Sequence, residues 1–331
     1  MMSLGRSAYR AGCPWTIYPT ASQFCDSVDT ATLSINGYST PRPNALSSLH
    51  LQLQPGCSRL SVAINHNTSY VDGTVGIVVD GVFSAIAISG PLLSMWITDV
   101  ALDPSIGHTI ELRNGYVEYG TGGVFIYAIS GDGGYPAVLP NPSVSRRLVV
   151  FGDSIATGVY ATPISQYGYV NRLRAVYPGR ISLQGWGGGK YADFTGLADA
   201  NALAQRFVDL CFNATTREVW DAMGYNDFGG HTTPTSLATI VGATYDAVHA
   251  IDPTVHIWSM TPLITGGTPN AWGEYISEYR TAKASATVGR SWVTLVDGTA
   301  LLSAGGLQDG VHPSTAGHGV LATNIATVLG M

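Results

Sequence analysis

The sequence predicts an α/β protein: a three-layer αβα domain around a parallel sheet of about five strands, preceded by an all-β, jelly-roll-like sandwich. Three observations predict it. From about Thr30 to Gly131 apolar residues recur with period two. From Gly134 to Ser145 that pattern stops, among Pro136, Pro140 and Pro142. After Arg147 short continuous apolar runs alternate with longer helical stretches.

In the first half, Ser48-Leu49-His50-Leu51-Gln52-Leu53 and Leu60-Ser61-Val62-Ala63-Ile64 alternate cleanly. Val75–Val79, Val82–Ile88, Met95–Ile97, His108–Leu112 and Val124–Ala128 are further strand candidates. Asn36-Gly37, Asp72-Gly73, Asp80-Gly81 and Asn114-Gly115 are turn dipeptides between them. About seven or eight short strands at this spacing read as a sandwich. The uncharged stretch between Asp80 and Asp99 is long enough for a membrane span. It contains Gly90-Pro91 and alternates, so two strands meeting at that dipeptide are expected instead, with no membrane span.

The predicted layout is a sandwich over 1–133, a linker over 134–146 and an α/β domain over 147–331. In the last, Leu148-Val149-Val150-Phe151 is a continuous apolar run, as in a strand buried on both faces. Arg180–Leu183, Glu218–Met223, Val255–Met260 and Trp292–Val296 follow as strands. Helices are expected over Gln166–Tyr177, Ala198–Leu210, Ser236–Ile251, Trp272–Thr287 and Ser314–Leu329. Strict alternation of strand and helix requires parallel crossovers, which puts the site beyond the carboxyl ends of the strands.

Composition excludes several classes. Net charge is −6 and charged residues are 11 % of the chain, against about a quarter in ordinary proteins. All basic residues but Lys190 and Lys283 are arginine, and only Arg146-Arg147 cluster, so a nucleic-acid partner is not expected. Gly is 40 of 331 residues without a triplet period, which signals turns and not collagen. Met1–Ser27 holds Arg6 and Arg10 but no apolar core of a signal peptide. The low charge suits a secreted or a cytoplasmic chain equally. Among Cys13, Cys25 and Cys57 a disulfide and buried thiols are both open readings. With no HExxH and no Cys/His cluster, neither a metal nor another cofactor is called for. Lys190 follows a glycine run, but Tyr191 stands where a phosphate loop needs Ser or Thr. His249 and His318 occupy interior helix positions and read as packing histidines.

Chemistry gathers at the predicted strand ends. The first strand runs into Gly152-Asp153-Ser154-Ile155, the second into Gly185-Trp186-Gly187-Gly188-Gly189, and the third into Gly224-Tyr225-Asn226-Asp227. The loop before the last helix reads Asp309-Gly310-Val311-His312-Pro313. A serine hydroxyl is a poor nucleophile and needs a base. An ordinary histidine titrates near about 6.5, which suits that task near neutral pH. An aspartate three residues earlier can hold its tautomer. Asp153 and Asp227 read as acceptors for loop N–H groups.

These blocks, in this order, resemble the SGNH hydrolases, or GDSL esterase superfamily, over about residues 147–331. The resemblance implies Ser154 as nucleophile, His312 as base and Asp309 as its partner. It implies an oxyanion hole from the backbone N–H of Ser154, a glycine N–H and the Asn226 amide. Aligned as Gly-x-x-Gly the glycine is Gly188, with Gly187 or Gly189 one residue away. Trp186, Tyr191, Tyr225, Phe228 and His231 stand in or beside these loops as candidate substrate contacts.

A sandwich, a short linker and an SGNH domain is also the layout of the family two carbohydrate esterases, which the chain resembles in architecture. Val79-Asp80-Gly81 and Gly107–Leu112 fit the style of their strands. The resemblance implies an esterase for short acyl groups, chiefly acetyl, on small esters or acetylated carbohydrate. An acyltransferase working through the same acyl-enzyme is the second reading, and a non-catalytic carbohydrate binder the third. A homo-oligomer is compatible with either enzyme.

Overall fold

The computed structural model describes residues 15–17, 24–25, 48–66, 74–88, 95–114, 124–134, 136–138, 144–162, 164–185, 188–191, 214–230, 232–264 and 266–331. Among these residues ten strands precede the parallel sheet: β1 Trp15–Ile17, β2 Phe24–Cys25, β3 Ser48–Leu53, β4 Arg59–His66, β5 Thr74–Val79, β6 Val82–Ile88, β7 Met95–Ala101, β8 His108–Asn114, β9 Val124–Gly131 and β10 Pro136–Val138. They form two antiparallel sheets. One has the order β1-β9-β4-β7; the other has β10-β3-β8-β5-β6, with β2 beside β3. Every second residue of the alternating runs points inward, so Leu51, Leu53, Leu60, Val62, Val75, Ile77, Ile110, Leu112 and Ile129 make one buried core.

The hairpin at Asp80-Gly81 forms as expected. Both residues are left-handed, at φ 50° and 80°, and Val79 pairs with Val82. The uncharged stretch contains β6 and the first half of β7, which lie in different sheets. No helix among the described residues is long and apolar enough to cross a membrane. The other three turn dipeptides and the Gly90-Pro91 junction fall wholly or partly outside the described residues. Cys57 is a buried free thiol whose Sγ meets the Arg59 carbonyl at 3.4 Å.

Two differences from the sequence reading concern the sandwich edges. β1 and β2 were not expected, because two or three residues are too few to show a period. Pro136–Val138, inside the stretch read as linker, pairs with Leu51–Leu53 as an edge strand. Proline is tolerated there because an edge strand has one side without a ladder partner.

The third sheet has five parallel strands, β11 Val144–Gly152, β12 Arg180–Gly185, β13 Ala214–Asp221, β14 His256–Met260 and β15 Val293–Val296, in the order β12-β11-β13-β14-β15. The continuous apolar run of β11 has its cause here. Leu148 and Val150 enter the core on one face, with Tyr169, Leu173, Leu321 and Ile325. Val149 and Phe151 enter the core on the other, with Val241, Tyr245, Tyr279 and Ala282. Chain direction across the sheet reverses between β11 and β13, which opens a crevice at their carboxyl ends.

The helices depart from expectation in instructive ways. Gln166–Tyr177 is two short helices, Ile164–Tyr167 and Tyr169–Arg174, interrupted where Gly168 takes an extended ψ of 140°. The Pro234–Ile251 helix begins two residues early, because Thr233 caps it and Pro234 fills the first turn. The helix expected from Trp272 begins only at Ile276. Asn270 Oδ1 accepts from the N–H groups of Trp272 and Glu274, and the Glu278 carboxylate accepts from Tyr275 N, so a capped loop replaces the first turn. The last helix is Thr315–Val328, capped by Ser314. The helix expected over Ala198–Leu210 lies outside the described residues.

Candidate active site

β11 ends at Gly152, and the chain turns at once into a one-turn helix, Ser154–Thr157. The turn is tight enough that a Cβ on Gly152 would lie 2.1 Å from that of Ala156, so glycine is required there. Asp153 caps the helix, its Oδ1 accepting from Ile155 N at 2.9 Å. Ser154 thereby stands at the helix start, above the sheet edge.

The Asp309–Pro313 loop comes back from beyond β15. Gln308 N donates to the His312 carbonyl at 2.7 Å and Ser314 N to the Gly306 carbonyl at 2.9 Å, closing the loop on itself. Asp309 Oδ1 accepts from the N–H groups of Val311 and His312. Its Oδ2 lies 2.8 Å from His312 Nδ1, and His312 Nε2 lies 2.9 Å from Ser154 Oγ. Burial pushes the Asp309 carboxyl upward, but the His312 and Val311 N–H groups and the imidazole outweigh it and hold it below the ordinary value. An ionised carboxylate only accepts, so Nδ1 carries the proton and Nε2 is left to accept from the serine hydroxyl.

The last helix is brought over β11 by its packing on the Tyr169–Arg174 helix, within one apolar core. A buried histidine locks it there. His318 Nε2 donates to the Val159 carbonyl at 2.9 Å, and its Nδ1 accepts from Tyr169 N at 3.4 Å. Burial depresses this imidazole to about 4, so it is neutral, as those two bonds require. Thr315 Oγ1 donates to the Tyr160 carbonyl at 3.1 Å and accepts from Thr162 N at 3.0 Å. The segment after the nucleophile and the segment after the histidine are thus tied together.

β13 supplies the other wall. Gly224, at φ 119°, turns the chain into a short helix, Tyr225–Gly229. Asn226 Nδ2 lies 3.2 Å from both Asp153 Oδ2 and the Gly189 carbonyl. In the resting site its amide therefore ties the serine loop to the glycine run. Asp153 is fully buried and its carboxyl is pushed up to about 6. Burial is the main cause, opposed by Ile155 N–H, His312 and Lys283 and reinforced by Asp227. Asp227 Oδ2 accepts from Tyr191 N at 3.1 Å, so both aspartates serve as loop acceptors. Gly188 is left-handed at φ 73°, a conformation that favours glycine.

Of the candidate substrate contacts, Tyr225 and Phe228 are half-buried beside Asn226, with ring centroids 6.3 Å apart. Trp186 and His231 lie outside the described residues. Tyr191 is a correction: it has no exposed surface and packs in the core beneath the sheet, where no substrate reaches it. Its neighbour in sequence suggested an open loop, but its ring faces the Lys283 ammonium at 5.9 Å.

Sequence reasoning also missed Lys283. It is fully buried and donates to Asp221 Oδ2 at 2.8 Å and to the carbonyls of Asp221 and Met223 at 3.3 and 2.9 Å. The Tyr245 hydroxyl completes the cluster, bonding Asp221 Oδ2 and, at 2.6 Å, Ser259 Oγ. Lys283 thus anchors the end of β13, directly before the loop that carries Asn226. The available signal was one of only two lysines in the chain placed on an apolar helix face with Tyr279 and Ala286. Among the described residues, no group of His, Cys, Asp and Glu could hold a metal ion.

A doubly wound sheet with these blocks at its carboxyl edge defines an acyl-ester hydrolase or acyltransferase. The chain belongs to the GDSL-like lipase/acylhydrolase family, whose sequence model matches residues 150–320. No curated protein sequence matches the chain. Among solved structures, a family two carbohydrate esterase from Cellvibrio japonicus superposes with a TM-score of 0.64 at 16 % identity, over 95 % of this chain and 96 % of that one. A putative GDSL-like lipase from Bacteroides ovatus gives 0.67 at 15 % identity, over 95 % and 98 %. A salicylyl-acyltransferase from a tetracycline biosynthetic pathway gives 0.66 at 14 % identity, over 86 % and 83 %. The first two share the chain's whole layout, sandwich included, and the fold is that of an SGNH hydrolase resembling the family two carbohydrate esterases.

Proposed function

We propose that this protein is a serine esterase that removes short acyl groups, chiefly acetyl, from carbohydrate esters. Residues 144–331 form its catalytic domain, the chain up to Val138 an accessory sandwich and 139–143 the connection, because Pro136–Val138 pairs within the sandwich and β11 already begins at Val144. The single observation that carries the reading is the hydrogen-bonded chain Ser154–His312–Asp309, with spacings of 2.9 and 2.8 Å.

In this reading His312 Nε2 takes the Ser154 proton as Oγ attacks the ester carbonyl. Asp309 keeps Nδ1–H in place and stabilises the imidazolium that forms. The oxyanion receives the N–H groups of Ser154 and Gly188 and the Asn226 amide. His312 then gives its proton to the leaving alcohol oxygen, and an acyl group remains on Ser154. A water attacks in the second half, with the same base, and frees the acid. Asn226 already bonds Asp153 and Gly189, so its donation to the oxyanion replaces one resting bond. The gain is therefore the difference between two hydrogen bonds. In this reading Tyr225 and Phe228, half-buried beside Asn226, contact the substrate.

Hydrolysis rates across acetyl, butyryl and octanoyl esters of one chromogenic alcohol test the reading, followed by acetylated xylan, mannan and chitin fragments. Acetyl esters should turn over fastest. No turnover of any ester by the folded protein would overturn it. The acyltransferase reading shares the acyl-enzyme and is suggested by the salicylyl-acyltransferase's similar fold. Product analysis with an added acceptor alcohol separates the two: transfer outrunning hydrolysis favours the second.

A further inference from the structure

Among the described residues with side chains, only Asp80 and Tyr160 have a left-handed backbone. Asp80 has an ordinary reason, since it occupies a hairpin turn where aspartate is at ease. Tyr160, at φ 65°, has none: an aromatic residue there is strained. Burial does not repay that strain, because Tyr160 remains 49 % exposed. The surrounding contacts hold it regardless. Ala161 N reaches the Gly158 carbonyl at 2.9 Å, Thr315 Oγ1 holds the Tyr160 carbonyl, and His318 holds the carbonyl of Val159. All three act on backbone atoms, so they leave the side chain unexplained.

The side chain has one neighbour that gives it a purpose. Its ring centroid lies 5.6 Å from that of His312, with the planes at 63°. That is an edge-to-face arrangement, within the range over which an aromatic ring attracts a cation. We infer that Tyr160 is a positioning residue for His312: its ring fixes the imidazole plane toward Ser154 and stabilises the imidazolium present only while the serine proton is held. This rests on the proposed function, since only a histidine that takes the serine proton becomes the imidazolium the ring stabilises. The ring alone matters, and the hydroxyl is dispensable.

The test uses the full chain and three variants, Tyr160→Phe, Tyr160→Leu and Tyr160→Gly. Melting temperature, kcat and KM are measured on the ester the wild type turns over best. Leu and Gly should lower kcat by about twofold to thirtyfold, the span that a ring–cation contact of ordinary strength supports, with KM unchanged. Phe should keep wild-type kcat. Gly should keep the wild-type melting temperature, because glycine accepts the left-handed backbone without strain. Wild-type kcat in the Leu and Gly variants would overturn the inference, and so would a Phe variant as slow as Leu. A Gly variant whose melting temperature and activity fall together would also overturn it, by assigning the ring a structural role. If the wild type itself turns over no ester, the proposed function fails and takes this inference with it; active wild type with unaffected variants removes the inference alone.

Discussion

Ser154 Oγ and His312 Nε2 stand 2.9 Å apart although 158 positions separate them in the chain. A serine at a helix start needs no histidine for its cap, so this contact is the one that local structure does not explain. Ser154→Ala should therefore leave the melting temperature unchanged and abolish turnover. The expected loss in kcat is up to about 10⁶, the size seen when a triad nucleophile is removed. An organophosphonate should label the wild type on Ser154. A variant retaining a tenth of wild-type activity would remove the acyl-enzyme mechanism.

Asp309 holds the imidazole tautomer through a single bond to Nδ1. In Asp309→Asn the amide has both an acceptor and a donor, and it can present its N–H groups to a histidine protonated on Nε2. That tautomer cannot accept the serine proton. The variant should lose about 10⁴ in kcat while its fold persists, the size of loss seen for an equivalent change in a serine protease. Steady-state kinetics and a thermal melt on the same preparation check it. Activity within tenfold of wild type would leave Asp309 as a loop acceptor for Val311 and His312 only.

Asn226 carries two resting bonds, so its replacement separates two roles. Asn226→Ala should lower kcat by about 10²–10³ with KM nearly unchanged if the amide serves the oxyanion. Asn226→Asp should be at least as slow, since it sets a third carboxyl beside Asp153 and Asp227 and opposes the developing charge. A lowered melting temperature with kcat spared in the folded fraction would instead make Asn226 a clamp between Asp153 and Gly189.

Two buried groups oppose each other in acid. His318 is depressed to about 4 in the folded chain from an ordinary 6.5. As pH falls from 6.5 to 4 the unfolded state takes up the proton first, so stability is lost, by up to about 3 kcal/mol. Asp153 is raised to about 6 from an ordinary 3.8. As pH falls from 6 to 3.8 the folded state takes up the proton first, so stability is gained by a similar amount, about 3 kcal/mol. The two contributions cancel through most of that window. Asp153→Asn should expose the histidine's loss, with stability falling on acidification relative to wild type. His318→Gln should expose the carboxyl's gain. Urea unfolding at several pH values between 4 and 7 reads the difference, and variant curves parallel to the wild type would show that neither group is perturbed.

The sequence by itself determined the class of fold and placed the candidate site residues at the strand ends. Period two and turn dipeptides are local signals, and so is a continuous apolar run, because β11 meets an apolar layer on each face. The Gly-Asp-Ser, Gly-Tyr-Asn-Asp and Asp-Gly-Val-His blocks were legible for the same reason: each sits at a strand end or before a helix, and those boundaries are written in nearby residues. Helix starts were less legible where a side chain displaced a turn, as Asn270 does ahead of Ile276. Tertiary structure alone decided which groups meet. It buried Tyr191, which loop position had suggested as a substrate contact, and it set the lone helix lysine, Lys283, under the end of β13, just before the segment that carries Asn226. It also aimed the Asn226 amide at Asp153 and turned the strained Tyr160 ring toward His312. Each of these contacts joins elements far apart in the chain. Their geometry follows from how two helical layers pack on one twisted sheet, and no spacing along the sequence records it.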